Sequence, residues 1–189
     1  MCKRICVTNR HLVRGDFSQQ IEKILMLPVD RRPDALIVRE KDLSLQDYQR
    51  VSVRILSLCK QYGVRCLFNG RYDSARRCGA DGVQLSFSTY MDVPMDNLAD
   101  ISLVGVSVHS REEAEIVAKR GADFLIYGHI FATACKPGLP PRGLASLRQI
   151  CRTVHVPVFA IGGITEDNMA DCAQAGATGV CMMSEYMRL

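Results

Sequence analysis

Eight short apolar runs alternate along this chain with segments of helical periodicity, and this alternation limits the possible folds more than any other feature. The predicted strands are Arg4–Thr8, Ala35–Arg39, Arg65–Asn69, Gly82–Leu85, Leu103–Val108, Phe124–His129, Pro157–Ile161 and Gly179–Met183. Strands separated by helices of about ten or more residues pair in parallel. Because the runs are apolar almost continuously, both faces of the sheet are expected to be covered. Eight such units predict an α/β fold, the closed (β/α)8 TIM barrel.

The ends of several helices are also marked in the sequence. Predicted helices span Leu45–Tyr62, Arg111–Arg120 and Glu166–Ala175, and Ser110 followed by Glu113 is typical of a helix start. Only Ser184–Leu189 follows the last strand, so we predict a truncated eighth helix, covered by the partner in a homodimer. Residues 1–189 are expected to form a single compact domain.

Composition excludes several classes of protein. The chain is 48% hydrophobic and 23% charged with a net charge of +4, which is typical of a soluble globular protein and lacks the clustered basic stripe of a nucleic-acid binder. No apolar run approaches the roughly 20 residues that span a bilayer. The nine cysteines include no Cys-x-x-Cys pair, and the residues after Met1 predict no signal peptide. We therefore expect buried thiols and a cytoplasmic protein, without nucleic-acid or membrane partners.

Two neighbouring strands end in features that suit a phosphate. Gly162 and Gly163 follow the seventh predicted strand, and glycines let backbone N–H groups approach an anion closely. Met183 and Ser184 end the eighth strand, where Ser184 is expected to cap a short helix whose N-terminus faces the phosphate. Because barrels of this class hold phosphate after strands 7 and 8, these four residues are the predicted phosphate site.

The sixth strand leads into the most unusual stretch of the chain, Tyr127–Gly138. His129 is expected to point to the mouth of the barrel, where a group that titrates near neutrality can move protons. Thr133 and Lys136 follow, and they offer a hydroxyl and a cation to an anionic ligand. Four further side chains are expected around the same mouth, each at the end of a strand: Arg39, Lys41, Asn69 and Ser107. A structural reading also stands, in which Arg39 or Lys136 pairs with Glu40.

Four motifs together resemble the thiamin phosphate synthase superfamily: Val38–Lys41, Gly105–Ser110, Tyr127–Gly138 and Ala160–Ile164. The resemblance implies a TIM barrel of thiamin biosynthesis that binds a small phosphorylated thiazole, with the phosphate on Gly162, Gly163, Met183 and Ser184. The synthase branch of this superfamily carries metal-binding aspartates where this chain has Gly70 and Thr89. Since Mg²⁺ relies on carboxylates, both replacements argue against that branch. Gly128–Phe131 and the following Thr-x-Cys-Lys resemble instead the TenI-like thiazole tautomerases.

The tautomerase resemblance implies an isomerase that needs no cofactor and no metal. It aromatises a carboxylated dihydrothiazole phosphate by moving one proton, and His129 takes the role of the acid/base group. Arg39, Lys41, Asn69, Ser107, Thr133 and Lys136 are then the predicted contacts to the rest of the substrate. Two alternatives remain open: a Mg²⁺-dependent thiamin phosphate synthase that couples a pyrimidine diphosphate with the thiazole phosphate, and a non-catalytic regulator that binds a thiazole phosphate.

Overall fold

The computed structural model describes residues 2–189, and its eight parallel strands close in chain order into a barrel. The strands are β1 Lys3–Val7, β2 Ala35–Val38, β3 Arg65–Asn69, β4 Gly82–Ser86, β5 Val104–Val108, β6 Phe124–Gly128, β7 Val158–Ile161 and β8 Gly179–Met182. The helices are α1 Phe17–Leu25, α2 Leu45–Tyr62, α3 Tyr72–Cys78, α4 Phe87–Asp92, α5 Arg111–Lys119, α6 Gly143–Thr153, α7 Met169–Gln174 and α8 Ser184–Met187. Two 3-10 turns lie at Arg10–Leu12 and Met95–Asn97. The predicted (β/α)8 barrel is confirmed.

The chain packs into two compact units. One comprises Arg4–Gln84, Pro94–Leu103 and Met183–Leu189, and in its core the ring of Tyr48 meets Phe68 edge-on at 5.9 Å. The other comprises residues 2–3, Leu85–Val93 and Val104–Met182, and its core includes an edge-on pair of Phe124 and Phe159 at 5.5 Å. Each unit has its own set of buried apolar strands. The single-domain expectation stays a prediction.

Helix α2 spans the same residues as the predicted helix, and its caps explain why. The Ser44 side chain accepts a hydrogen bond from the backbone N–H of Asp47 at 3.1 Å, which satisfies one of the free donors at the helix start. Gly63 ends the helix with a φ of 66°, a left-handed conformation that glycine adopts without a steric penalty. The buried face of the helix carries Tyr48, Ile55 and Cys59.

Helix α5 begins as the sequence predicts, whereas α7 begins later. The Ser110 hydroxyl accepts from the backbone N–H of Glu113 at 3.1 Å. Helix α7 starts at Met169 and not at Glu166, because the Asn168 side chain closes a turn before it. The Asn168 carboxamide accepts from the backbone N–H of Thr165 and donates to the carbonyl of Gly163, both at 2.9 Å.

The eighth helix is truncated, as predicted, and has four residues. Its N-cap position is held by Met183 with no side-chain capping bond, and Ser184 is the first helical residue. The expectation that Ser184 caps this helix is therefore wrong. Strand β8 ends at Met182, one residue earlier than the sequence pattern predicted.

Among residues 2–189, no helix is both long enough and apolar enough to cross a bilayer. No disulfide joins any of the nine cysteines, and five of them are buried: Cys6, Cys59, Cys66, Cys172 and Cys181. The expectation of buried thiols therefore holds for these five.

Candidate active site

His129 lies one residue beyond the end of β6, and its side chain is half-buried. The backbone after it is fixed to the end of β7, since the N–H of Ile130 donates to the carbonyl of Ile161 and the N–H of Phe131 donates to that of Gly162, both at 2.9 Å. The peptide bond between Gly128 and His129 is cis. The predicted acid/base residue thus stands on well-anchored backbone at the carboxyl end of a barrel strand.

The imidazole of His129 has one hydrogen-bond contact, in which Nε2 lies 3.3 Å from the carbonyl oxygen of Leu139. A carbonyl oxygen only accepts, so this contact assigns the proton of the neutral ring to Nε2. Within residues 2–189, Nδ1 has no hydrogen-bond partner. The neutral ring therefore offers a free lone pair on Nδ1, which can accept a proton.

Gly162 and Gly163 follow β7 directly and pack against the segment that carries His129. Their φ angles are +100° and +65°, and a Cβ built on Gly162 would lie 2.2 Å from the Cβ of His129. A Cβ on Gly163 would lie 2.4 Å from the carbonyl oxygen of Ala132. Within residues 2–189, the backbone N–H groups of both glycines donate no hydrogen bond. Glycine is required here by close approach as well as by backbone conformation.

The other half of the predicted phosphate site lies in the other unit. Met183 is half-buried, and its sulfur accepts a weak hydrogen bond from Nδ2 of Asn9 at 3.8 Å. Ser184 is exposed at the start of α8. Because this four-residue helix has no side-chain cap, its first N–H groups are not occupied by a capping side chain.

The connection between β6 and α6 includes an eleven-residue stretch, Phe131 to Pro141, that is mostly exposed. It carries Thr133 and Lys136. The Thr133 hydroxyl accepts from the backbone N–H of Cys135 at 3.3 Å, and its carbonyl accepts from the N–H of Lys136 at 3.1 Å. Thr133 thus supports the turn that presents Lys136 to solvent. Ser107 is half-buried within β5.

His109, just after β5, contacts the strand that carries the candidate acid/base residue. Its Nδ1 lies 3.3 Å from the carbonyl oxygen of Gly128, and its backbone N–H donates to the Glu113 carboxylate at 2.6 Å. Glu113 in turn lies in the first turn of α5. His109 is therefore tied both to the start of α5 and to the end of β6.

At the ends of β1 and β2, a cluster of charged side chains surrounds Glu40, which is 2% exposed. Its carboxylate accepts from the hydroxyl of Thr8 at 2.7 Å, and from the backbone N–H and Nη1 of Arg10 at 3.2 Å. Arg10 also binds Asp42, which in turn lies 3.0 Å from Nε2 of His11. We call these five residues, Thr8, Arg10, His11, Glu40 and Asp42, the Glu40 cluster.

The hydrogen bonds from Arg10 and then from His11 lower the pKa of the Asp42 carboxyl well below its ordinary value. Glu40 forms its ion pair with Arg10, which lies 30 residues earlier in the chain. Arg39 is half-buried, and its backbone N–H donates to the Thr8 hydroxyl at 2.9 Å. The guanidinium of Arg39 forms no ion pair within residues 2–189, and Lys41 is exposed.

Asn69, at the end of β3, is held by two neighbours. Its amide donates to the side-chain oxygen of Gln84 on β4, and its backbone N–H donates to the hydroxyl of Tyr48 at 3.0 Å. The guanidinium of Arg71 lies 5.7 Å from the centre of the Tyr48 ring. Burial raises the pKa of Tyr48, so its phenol stays protonated.

Of the predicted residues, the structure brings His129, Gly162 and Gly163 into contact, and it places Thr133 and Lys136 on the loop that follows His129. In the other unit it places Arg39 beside the Glu40 cluster. Sequence reasoning missed Arg10 and Arg142. The Nε of Arg142 donates to the carbonyl of Gly128 at 2.9 Å. No local pattern signals a side chain that binds a backbone carbonyl 14 residues away.

Comparison with known proteins gives a consistent result. A family model described as thiamine monophosphate synthase matches residues 5–186. The chain is 34% identical to a thiamine-phosphate synthase of Fusobacterium nucleatum, over 97% of this chain and 88% of that protein. It is 37% identical to one of Chlorobium phaeovibrioides, over 81% of this chain and 74% of that one. A solved structure named thiamine phosphate pyrophosphorylase, from Pyrococcus furiosus, superposes with a TM-score of 0.82 at 28% identity, covering 98% and 93% of the two chains.

Proposed function

Because this chain belongs to the thiamine monophosphate synthase family, we propose that it is a thiazole tautomerase, which aromatises a carboxylated dihydrothiazole phosphate by moving a proton. The observation that carries the proposal is the state of His129. Its ring is half-buried, its Nε2 contacts a backbone carbonyl, and its Nδ1 has no partner within residues 2–189. An imidazole in this state has a free nitrogen that can accept and return a proton.

The proposed reaction needs one proton transfer in each direction. His129 Nδ1 takes the proton that leaves a ring carbon of the substrate, and the imidazolium that forms is stabilised by the contact of Nε2 with the carbonyl of Leu139. The His129 imidazolium then returns a proton to the exocyclic carbon of the substrate, and the ring becomes aromatic. Atoms and charge balance without a redox partner. A positioned group of this kind contributes roughly 10²–10⁴-fold to the rate.

The substrate phosphate is assigned to the unoccupied backbone N–H groups of Gly162 and Gly163. Both glycines adopt positive φ angles, and turns of the backbone whose N–H groups are free can bind anions. The share of the phosphate site predicted on Met183 and Ser184 stays a prediction. Lys136 and Arg39 are the proposed cations for the carboxylate, and Lys41, Asn69, Ser107 and Thr133 are proposed contacts to the ring.

A second candidate is thiamin phosphate synthase, because the relatives from Fusobacterium nucleatum and Chlorobium phaeovibrioides carry that name. That reaction requires Mg²⁺, and this chain has Gly70 and Thr89 where the synthase pattern has carboxylates. The Thr89 hydroxyl is already engaged, since it lies 2.7 Å from the Ser86 hydroxyl at the start of α4. Gly70 adopts a φ of +68° and offers no side chain. These two positions favour the tautomerase, and the names of the relatives favour the synthase.

One pair of assays separates the two candidates. Isomerisation of the carboxylated dihydrothiazole phosphate is followed by absorbance in EDTA, with the native protein and with His129→Ala. Turnover by the native protein that falls roughly 10²–10⁴-fold in the variant supports the tautomerase. Turnover that appears only in the coupling reaction, with both half-substrates and Mg²⁺, overturns it in favour of the synthase. Thiazole phosphate binding without turnover in either assay would identify a regulator.

The homodimer stays a proposal of the same kind. Sedimentation of the native protein is expected to give twice the mass of one chain, and a monomer at all concentrations would contradict it.

A further inference from the structure

Arg142 connects the two ends of the loop that begins at His129. Its Nε donates to the carbonyl of Gly128 at 2.9 Å, and its backbone N–H donates to the carbonyl of His129 at the same distance. Next to it, the N–H of Gly143 donates to the carbonyl of Ile130 at 3.1 Å. The peptide groups on either side of the His129 Cα are therefore both bound by a single residue.

The guanidinium of Arg142 is itself held in place. It lies 5.8 Å from the centre of the Tyr127 ring, within reach of a cation–π interaction. The Tyr127 hydroxyl is bound to the Ser146 hydroxyl on α6, so the ring that the guanidinium covers is fixed at its far end. A hydrogen bond from a charged donor is stronger than a neutral one, and a planar guanidinium loses less freedom than an ammonium when it forms one.

We propose that Arg142 is a positioning residue that fixes the orientation of the His129 imidazole for proton transfer. This proposal rests on the proposed function of His129. Arg142 is exposed at the N-cap position just before α6, and its side chain forms no ion pair within residues 2–189. Its contacts are concentrated on Tyr127, Gly128 and His129, so its removal acts on the end of β6 more than on the core.

The packing of Gly162 makes this position sensitive. The space beside the His129 Cβ is already occupied by the Gly162 backbone, since even one added carbon there would lie 2.2 Å away. Loss of the Arg142 side chain removes the bond to the Gly128 carbonyl and the contact with Tyr127, whereas the backbone N–H of residue 142 still binds the His129 carbonyl. The peptide group before His129 is therefore the one released. A displacement of about 1 Å at a reacting group reduces turnover roughly 100-fold.

The kinetic test compares Arg142→Ala and Arg142→Lys with Arg148→Ala, which changes an exposed arginine on the adjoining helix α6. We expect Arg142→Ala to lower kcat about 100-fold and to change KM less than about threefold. Arg142→Lys keeps a cation without the planar fork and should be intermediate, whereas Arg148→Ala should match the native protein. Thermal unfolding of each variant identifies any loss that comes from misfolding, and the lysine variant replaces the alanine variant if the latter does not fold. A native kcat in a folded Arg142 variant would overturn the proposal.

A second readout needs no turnover. The imidazole C–H signals of the four histidines are recorded by NMR and assigned with single histidine variants. In Arg142→Ala the signal of His129 should shift, with the signals of His11 and His155 unchanged. A His129 signal that does not move contradicts positioning by Arg142. If the signal moves while the native protein fails to isomerise the thiazole substrate, the positioning role stands and the proposed function is wrong.

Discussion

The Glu40 cluster and the segment around His129 both place an ionisable group just beyond the end of a strand. The two groups differ in their exposure and in the number of hydrogen bonds they form. Glu40 is 2% exposed and accepts hydrogen bonds from a hydroxyl, a backbone N–H and a guanidinium. His129 is half-buried and has one contact of 3.3 Å to a carbonyl. The negative charge of Glu40 is thus balanced by several donors, whereas His129 keeps a lone pair on Nδ1 that is available to a proton.

The difference separates a structural charge from a reactive one. A buried carboxylate whose oxygens already accept several hydrogen bonds acts as a structural acceptor. A half-exposed imidazole with a free nitrogen has a site at which a proton can bind. Position at the carboxyl end of a barrel strand is therefore not enough to identify a catalytic residue, and the number of partners already bound is the better criterion.

Replacing one ionisable residue in each region should give the largest difference in unfolding free energy. Glu40→Ala leaves Arg10 and Thr8 without their buried acceptor, and breaking a buried ion pair costs about 3–5 kcal/mol of unfolding free energy. His129→Ala removes a group with a single weak contact, so the change in stability should stay within about 0.5 kcal/mol. Urea unfolding at neutral pH measures both values. Equal destabilisation by the two variants would contradict the distinction between the regions.

Gly162→Ala should disturb the reactive region by sterics alone. The added carbon would lie 2.2 Å from the His129 Cβ, at a φ of +100° that alanine rarely adopts. Strain and overpacking each cost about 1–3 kcal/mol, so we expect a total loss of about 2–5 kcal/mol together with loss of turnover. Urea unfolding and the tautomerase assay are the measurements. Gly138→Ala is the control, because its φ is also positive and nothing lies within 4 Å of its built Cβ.

Asp42→Asn should act on the exposed edge of the Glu40 cluster and have a smaller effect than Glu40→Ala. Because the pKa of Asp42 is lowered in the folded state, its contribution is present above the ordinary value of 3.8 and is lost as the pH falls through the lower folded value. The native protein should therefore lose stability in acid faster than the variant does. Unfolding experiments from neutral pH down to about pH 3, at low and high salt, test this. Identical acid profiles would show that Asp42 contributes nothing.

The buried thiols provide a third case, a group that is buried without a charged partner. Burial raises the pKa of Cys172 from 9.0 to about 11. Because its folded pKa is raised, Cys172 favours the folded state below pH 9.0, and this contribution fades as the pH approaches 11. Exposed Cys135 should be alkylated at least about tenfold faster than Cys172 at pH 8, as peptide mass spectrometry would show. Similar rates would mean that Cys172 is accessible.

The sequence was sufficient to predict the strands and most ends of the three helices predicted above, because these depend on neighbours in the chain. Ser44 and Gly63 bound α2 through local hydrogen bonds and backbone conformation. The start of α7 was predicted three residues too early, since the acidic residues after Thr165 look like a first helical turn. The Asn168 side chain instead binds Thr165 and Gly163 and forms a turn. A side chain's choice between capping and turn formation depends on geometry that the sequence does not show.

The candidate site was only partly predictable for the same reason. His129, Gly162 and Gly163 stand at strand ends, so strand prediction alone locates them. Arg10 and Arg142 bind groups 30 and 14 residues away, and in the second case the partner is a backbone carbonyl that any residue could supply. Contacts of this kind follow from the closed fold and have no signature in local composition.

The hydrogen bonds from Arg142 to His129 and from Gly143 to Ile130 join the two ends of the loop that follows β6. These two bonds hold the end of β6 and the start of α6 together independently of the loop residues between them. Since doubling the length of a flexible loop costs only about 0.6 kcal/mol, residues 133–138 can be exchanged or extended at little expense to the barrel, while Phe131 and Leu139 keep their contacts with Gly162 and His129. This loop is accordingly the part of the molecule on which new substrate selectivity can be built, by natural variation or by grafting, with the acid/base residue left in place at its base.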